Sequence, residues 1–196
     1  MRSVTWDRGH GLPPIGKQSP NGILKEWEWC DDFVRIACQT MEAQGIHCVN
    51  IVPEREDIPL DERVRRINAV TREYPDNIHI SVHINAAGRG DKWYDARGWQ
   101  VHTYTNPSVG SRRLACLAYE SAVAHNFKVR PESPGMPFRP KNLKILRETT
   151  CPAILIENFF MDNKDDLAYL LTPLSIYECA DVATSAVLKY FELYGR

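Results

Sequence analysis

Short runs rich in β-branched residues alternate along the chain with helix-length segments whose apolar residues recur every three or four positions. That alternation restricts the fold more than any other feature, because parallel strands need crossover helices to return to the same edge of a sheet. Residues 3–7 read as a first strand, broken by Gly9, Gly11 and the Pro13-Pro14 pair into a polar loop that ends near Leu24. Residues 26–44 read as a helix, with Trp29, Phe33, Ile36, Ala37 and Met41 on one face and Gly45 as its stop. Strands are expected at 47–52, 77–84, 98–105, 143–146 and 153–157, and helices at 60–72, 111–124 and 162–194, where Thr172-Pro173 supplies a cap and first-turn pair. The expectation is one α/β domain over residues 1–196, a twisted and mostly parallel sheet of about six strands flanked by helices, with no second module.

A chain of 196 residues is long enough for one real core, and 43% apolar residues, 25% charged residues and a formal charge of −1 describe an ordinary globule rather than a basic nucleic-acid binder. No apolar run approaches the ~18 residues of a membrane span, and no export leader is visible. The six cysteines, Cys30, Cys38, Cys48, Cys116, Cys151 and Cys179, are never closer than eight positions, which excludes a CxxC pair. They are expected as free, mostly buried thiols of a chain made in a reducing compartment. Pro131, Pro134, Pro137 and Pro140 mark an ordered, extended surface loop.

Three polar residues stand at or just past the carboxyl ends of expected strands: His10, His83 and Glu157. In an open parallel sheet those ends face one crevice, which is where α/β domains build their sites. Singly, each also fits a hydrogen-bonded structural histidine or a carboxylate returning to solvent. Convergence of three points to chemistry, since a dry strand end is a costly place for an unpaired carboxylate. Gly9 and Gly11 allow a sharp turn and leave room beside an imidazole, and Asp7 is placed to hold the turn or a second ring nitrogen. A catalytic zinc takes about three protein ligands and keeps a position open, and two histidines with one carboxylate form a common set. The third ligand is expected from Lys25-Glu26-Trp27-Glu28-Trp29, in which either glutamate qualifies. His79 and Ser81 share the face of His83 by alternation, and His102 is a candidate for the crevice rim. Trp27, Trp29, Trp93 and Trp99 read as packing anchors before ligand-stacking surfaces.

The strings Asp7-Arg8-Gly9-His10-Gly11, Lys25-Glu26-Trp27, Ser81-Val82-His83-Ile84-Asn85-Ala86 and Pro152-Ala153-Ile154-Leu155-Ile156-Glu157-Asn158-Phe159-Phe160 resemble, in order and spacing, the zinc-dependent N-acetylmuramoyl-L-alanine amidases of the Amidase_3 type. Val52-Pro53-Glu54, Leu60-Asp61-Glu62-Arg63-Val64 with Asn68 behind it, and Asn163-Lys164-Asp165-Asp166 add to the match. The similarity runs from Val4 to the end of the chain and looks closest to phage endolysins and compact bacterial amidases. It implies zinc ligands at His10, Glu26 and His83 and a catalytic glutamate at Glu157. Glu26 is favoured over Glu28 because the family's ligand lies about nineteen positions before the glycine ending that helix, here Gly45. Glu28 points roughly 200° around the helix from that direction. Arg8 departs from the family, which more often has proline or asparagine there.

The implied activity is hydrolysis of the amide between N-acetylmuramic acid and L-alanine in peptidoglycan by a zinc-activated water. Glu157 acts as general base, and the metal, aided by a donor such as Asn85, holds the oxyanion. A zinc peptidase cutting stem peptides and a non-catalytic wall-binding module are the alternatives. Peptidoglycan is the expected partner, with no nucleic acid and no membrane span. Synthesis in the cytoplasm and action on the cell wall, by lysin-like release or non-classical export, complete the expectation.

Overall fold

The computed structural model describes residues 1–12 and 17–195, so the expected break at Pro13-Pro14 lies outside the described residues. Six strands form one sheet: β1 (Arg2–Arg8), β2 (His47–Asn50), β3 (Asp76–Asn85), β4 (Gln100–Thr103), β5 (Arg139–Pro140) and β6 (Ala153–Phe160). Their spatial order is β2-β1-β3-β6-β4-β5, and every neighbouring pair is parallel except β4 with β6. The helices are α1 (Glu26–Ala43), α2 (Leu60–Glu73), α3 (Val109–Ala124), α4 (Lys144–Arg147), α5 (Lys164–Leu170) and α6 (Pro173–Tyr194). This is the α/β architecture that the alternating pattern predicts.

Period-two alternation along the central strands decides what each face of the sheet meets. Val4, Trp6, Ile78, Ile80, Val82, Ile154 and Ile156 belong to the main core together with Phe33 and Val34 of α1, Leu114 of α3 and Val187 and Phe191 of α6. Each large side chain fully buried there contributes about 1.5–3 kcal/mol. The intervening residues Thr5, Asp7, Asn77, His79 and Ser81 are buried as well. They lie on the α2 side, where Val64, Ile67, Ile145, Leu146 and Leu155 make a smaller second core.

Most buried polar groups of that second face are paired, the exceptions among the residues named being His79 Nε2 and Asn77 Oδ1. Thr5 Oγ1 donates to the Ile78 carbonyl at 3.1 Å and lies 3.1 Å from His79 Nδ1. Ser81 Oγ donates to Asp7 Oδ2 at 3.0 Å, and Arg63 Nη1 of α2 donates to Asp7 Oδ1 at 2.6 Å. Burial pushes His79 down to about 4, which keeps it neutral.

Four expectations are corrected. Residues 143–146 are not a strand; Leu143 caps α4, a single turn that buries the adjacent pair Ile145 and Leu146 as one helical turn can. The sixth strand lies instead inside the proline-rich stretch, as β5 at the sheet edge, where Pro140 has no ladder bond to give up. The tail is two helices rather than one, because Pro173 forces Thr172 into an extended conformation (φ −74°, ψ 142°) between α5 and α6. Finally, Cys38 and Cys48 are joined in a disulfide with Cα atoms 5.4 Å apart, whereas Cys30, Cys116, Cys151 and Cys179 are free. The turn at Gly45 (φ 72°) lays β2 back along the end of α1 and brings the two cysteines together, so cysteine usage no longer argues for a reducing compartment. Among the described residues no helix is long and apolar enough to cross a membrane.

Candidate functional site

The carboxyl ends of β1, β3 and β6 lie side by side and deliver His10, His83 and Glu157 to one crevice. His83 and Glu157 are direct register partners. Beyond them β6 gains one residue on β3, since the next partners are Asn85 and Phe160, and Phe159 takes a left-handed φ of 67° in the resulting bulge. Asn158, fully buried, ties the bulge down by donating to the His83 carbonyl at 3.2 Å and accepting from Trp99 Nε1 at 3.2 Å.

His10 itself, not either flanking glycine, carries the left-handed backbone, with φ 60°. Such a conformation costs a non-glycine residue on the order of 1–3 kcal/mol and persists only where its surroundings hold it. Two buried guanidinium groups do so. Arg8 Nη1 donates to the His10 carbonyl at 2.7 Å and Arg63 Nη2 to the same oxygen at 3.3 Å, while Arg63 Nη1 donates to the Arg8 carbonyl at 2.6 Å. Arg8 also donates to the Glu54 carbonyl and lies under the Trp27 ring at 5.6 Å. The residue that departs from the family pattern is thus a brace of the loop that bears His10.

Glu26 opens α1, and its N–H is satisfied by the Lys17 carbonyl at 3.0 Å. Its carboxylate is 1% exposed and lies between the two imidazoles. Oε1 accepts from the Ile84 N–H and lies 3.1 Å from His83 Nδ1, and Oε2 is 3.8 Å from His10 Nε2. The histidine rings meet edge to face with centroids 5.4 Å apart. One donor atom from each of the three residues falls within 4.8 Å of the others, a candidate metal seat. Gly9 is obligatory beside it, because a Cβ there would come within 2.5 Å of His83 Nδ1. Glu28 is exposed and pairs with Lys25 at 3.2 Å, away from the cluster.

Burial alone would raise the Glu26 carboxyl, but its hydrogen bond to His83 and the charge of both histidines bring it below the ordinary range. Burial likewise opposes a charged His83, yet Glu26 raises it, whereas burial prevails at His10 and lowers it. Glu157 is half-buried with Oε2 unpartnered among the described residues. Burial pushes it up to about 7, with His83 opposing and Glu26 assisting.

Not every candidate joins the site. Asp7 turns away from His10 to Arg63 and Ser81, because alternation puts it on the buried α2 face. His79 and Ser81 stay within that same face. His102 does not reach the crevice rim: it is fully buried, lies 3.3 Å from the Arg139 carbonyl and is pushed by burial down to about 3. Trp29 and Trp99 are buried anchors, and Trp93 is partly exposed with Lys164 over its ring. The sequence reading missed Asp162, whose Oδ2 accepts from the Ala87 and Gly88 N–H groups at 2.8 and 3.0 Å and shapes the loop after β3. It also missed the bracing by Arg8 and Arg63, for which no local pattern exists. The resulting crevice, of about 660 Å³, is lined by the three clustered residues, Glu157, Asn85, Asp162 and two cations, Lys17 and Arg89.

Comparison with known proteins adds to this geometry. The family described as N-acetylmuramoyl-L-alanine amidase, Amidase_3, matches residues 4–189. The endolysin of Bacillus phage SPP1 is 29% identical over 201 residues, covering 98% of this chain and 68% of that protein. The N-acetylmuramoyl-L-alanine amidase CwlM of Bacillus licheniformis is 25% identical over 199 residues, covering 98% and 70%. Among solved structures, an N-acetylmuramoyl-L-alanine amidase from Clostridium difficile 630 superposes with a TM-score of 0.86 at 22% identity, covering 99% of this chain and 98% of that one. The catalytic domain of CwlV from Bacillus (Paenibacillus) polymyxa var. colistinus gives 0.82 at 20% identity, covering 98% and 99%. These two likenesses establish the shared fold.

Proposed function

The chain belongs to the Amidase_3 family of N-acetylmuramoyl-L-alanine amidases, hydrolases of peptidoglycan, and on that premise we propose a zinc-dependent mechanism for it, with residues 1–196 as one catalytic domain acting at the cell wall. The reaction is hydrolysis of the amide between the lactyl group of N-acetylmuramic acid and L-alanine. The observation that carries the reading is the buried Glu26 carboxylate between two imidazoles, with all three donor atoms within 4.8 Å.

Two nitrogen donors and one carboxylate fit zinc, which His10, Glu26 and His83 would hold while leaving a position free for water. When bound, the ion lowers the pKa of that water and polarises the scissile carbonyl. Glu157 takes a proton from the attacking water and delivers it to the leaving nitrogen, a role suited to its raised pKa. Asn85 Nδ2 gives one N–H to Gln100 Oε1 at 3.2 Å and has a second for the developing oxyanion. The fixed seat also orients the chemistry, since His10 and His83 are held by backbone and guanidinium contacts formed before any substrate arrives.

A muropeptide digest read by mass spectrometry tests the reading. Stem peptides with a free L-alanine amino terminus are expected, lost with a chelator and restored by zinc. Glu157→Gln is expected to keep zinc and lose roughly two to four orders of magnitude in turnover. Cuts inside the stem peptide, or chelator-resistant release, would overturn it.

A further inference from the structure

Within the crevice the charges are unevenly matched. Two of its carboxylates are engaged, Glu26 with the two imidazoles and Asp162 Oδ2 with the Ala87 and Gly88 N–H groups, while Glu157 keeps Oε2 unpartnered among the described residues. Its two cations, Lys17 and Arg89, form no ion pair among the described residues. Both stand on segments fixed to the site. The Lys17 carbonyl accepts the first N–H of α1 from Glu26, and the charge of Lys17 is felt at His10 and at Glu157. Arg89 follows directly on the two N–H groups that Asp162 holds. Lys141 is also felt at Glu157 but does not line the crevice. Two unpaired cations in one cleft set up a field that an anionic ligand group relieves.

The chemistry of the substrate says where that anion lies; this step rests on the amidase reading above. The only carboxyl of N-acetylmuramic acid is consumed in the scissile amide, so the glycan side brings no charge to the cleft. The L-alanine carboxyl is likewise in an amide. The first free carboxylate along the leaving peptide is the α-carboxylate of its second residue. One extended residue spans about 3.3–3.6 Å, so this group stands about one residue from the scissile nitrogen, in the crevice that Lys17 and Arg89 line. In stems whose second residue is amidated, that charge is replaced by a neutral carboxamide. We infer that Lys17 and Arg89 bind the second-residue carboxylate of the stem peptide and make the site selective for stems in which it is free.

The test uses two muropeptides that differ only in carboxylate or carboxamide at that position. Wild-type protein is expected to show a kcat/KM about three- to tenfold higher for the carboxylate form at low salt, the range that partly exposed ion pairs supply. The ratio should fall toward one at about 0.5 M salt, where screening acts over a few ångströms. Lys17→Glu with Arg89→Glu should invert the preference, with zinc content unchanged. A ratio of one in the wild type, or an unaltered ratio in the charge-reversed variant, would overturn the inference while leaving the amidase reading intact. If neither muropeptide is cleaved the amidase reading fails, and the dissociation constants of the same two muropeptides, measured by calorimetry, decide the inference by the same ratio.

Discussion

On one face of the sheet Val4, Trp6, Ile80 and Ile156 meet the apolar sides of α1, α3 and α6; on the other Thr5, Asp7, His79 and Ser81 lie equally buried beneath α2. The first face is held by non-directional burial, which degrades by degrees when a side chain is trimmed. The second is held by directed pairs, each of which leaves an uncompensated group when broken. The second face is also the one that continues into the site. Asp7 holds Arg63, Arg63 holds the carbonyls of Arg8 and His10, and alternation from Ser81 leads to His83. Positioning the chemistry and burying polar groups are here one arrangement.

Arg63→Met breaks that comparison most severely. It strands the Asp7 carboxylate, 2% exposed, and frees the His10 loop, with an expected loss of about 3–5 kcal/mol in urea unfolding. Ile80→Val on the apolar face should cost about 0.5–1.5 kcal/mol. Equal costs for the two would show that the faces do not differ as described.

Glu157→Gln sharpens the comparison with a smaller effect whose sign depends on pH. A carboxyl raised to about 7 in the folded state keeps its proton where the unfolded chain, near 4.5, has lost it. The stability of the metal-free protein therefore falls as pH rises from about 4.5 through 7. The glutamine variant escapes this loss. Without metal it should melt a few degrees above wild type at pH 8, given about 2–4 °C per kcal/mol at this length, and level with it at pH 4. A difference that does not change with pH would contradict the raised pKa.

What the sequence disclosed follows the same division. The apolar face was legible because period two in strands and period 3.6 in helices are local patterns, and they located β1, β3, β6, α1, α2 and α3 closely. His10, His83 and Glu157 were legible as polar residues that end such runs. The Asp7–Arg63 pair was not, because its partners are 56 positions apart and join only when α2 docks on the sheet. The choice between Glu26 and Glu28 needed the family resemblance, since helix period alone allows either. The disulfide escaped because pairing between Cys38 and Cys48 depends on the turn at Gly45, not on spacing. Residues 143–146 failed as a strand because two adjacent apolar residues fit one helical turn as well as a short strand.

Metal binding in single-site variants tests the central claim most directly. Zinc content after dialysis, with affinity from competition against a chelator, should give about one zinc per chain for wild type and for Glu28→Ala. His10→Ala, Glu26→Ala and His83→Ala should each lose the ion, because a three-ligand seat does not retain its metal after losing one. Full zinc occupancy in Glu26→Ala, or its loss in Glu28→Ala, would contradict the account.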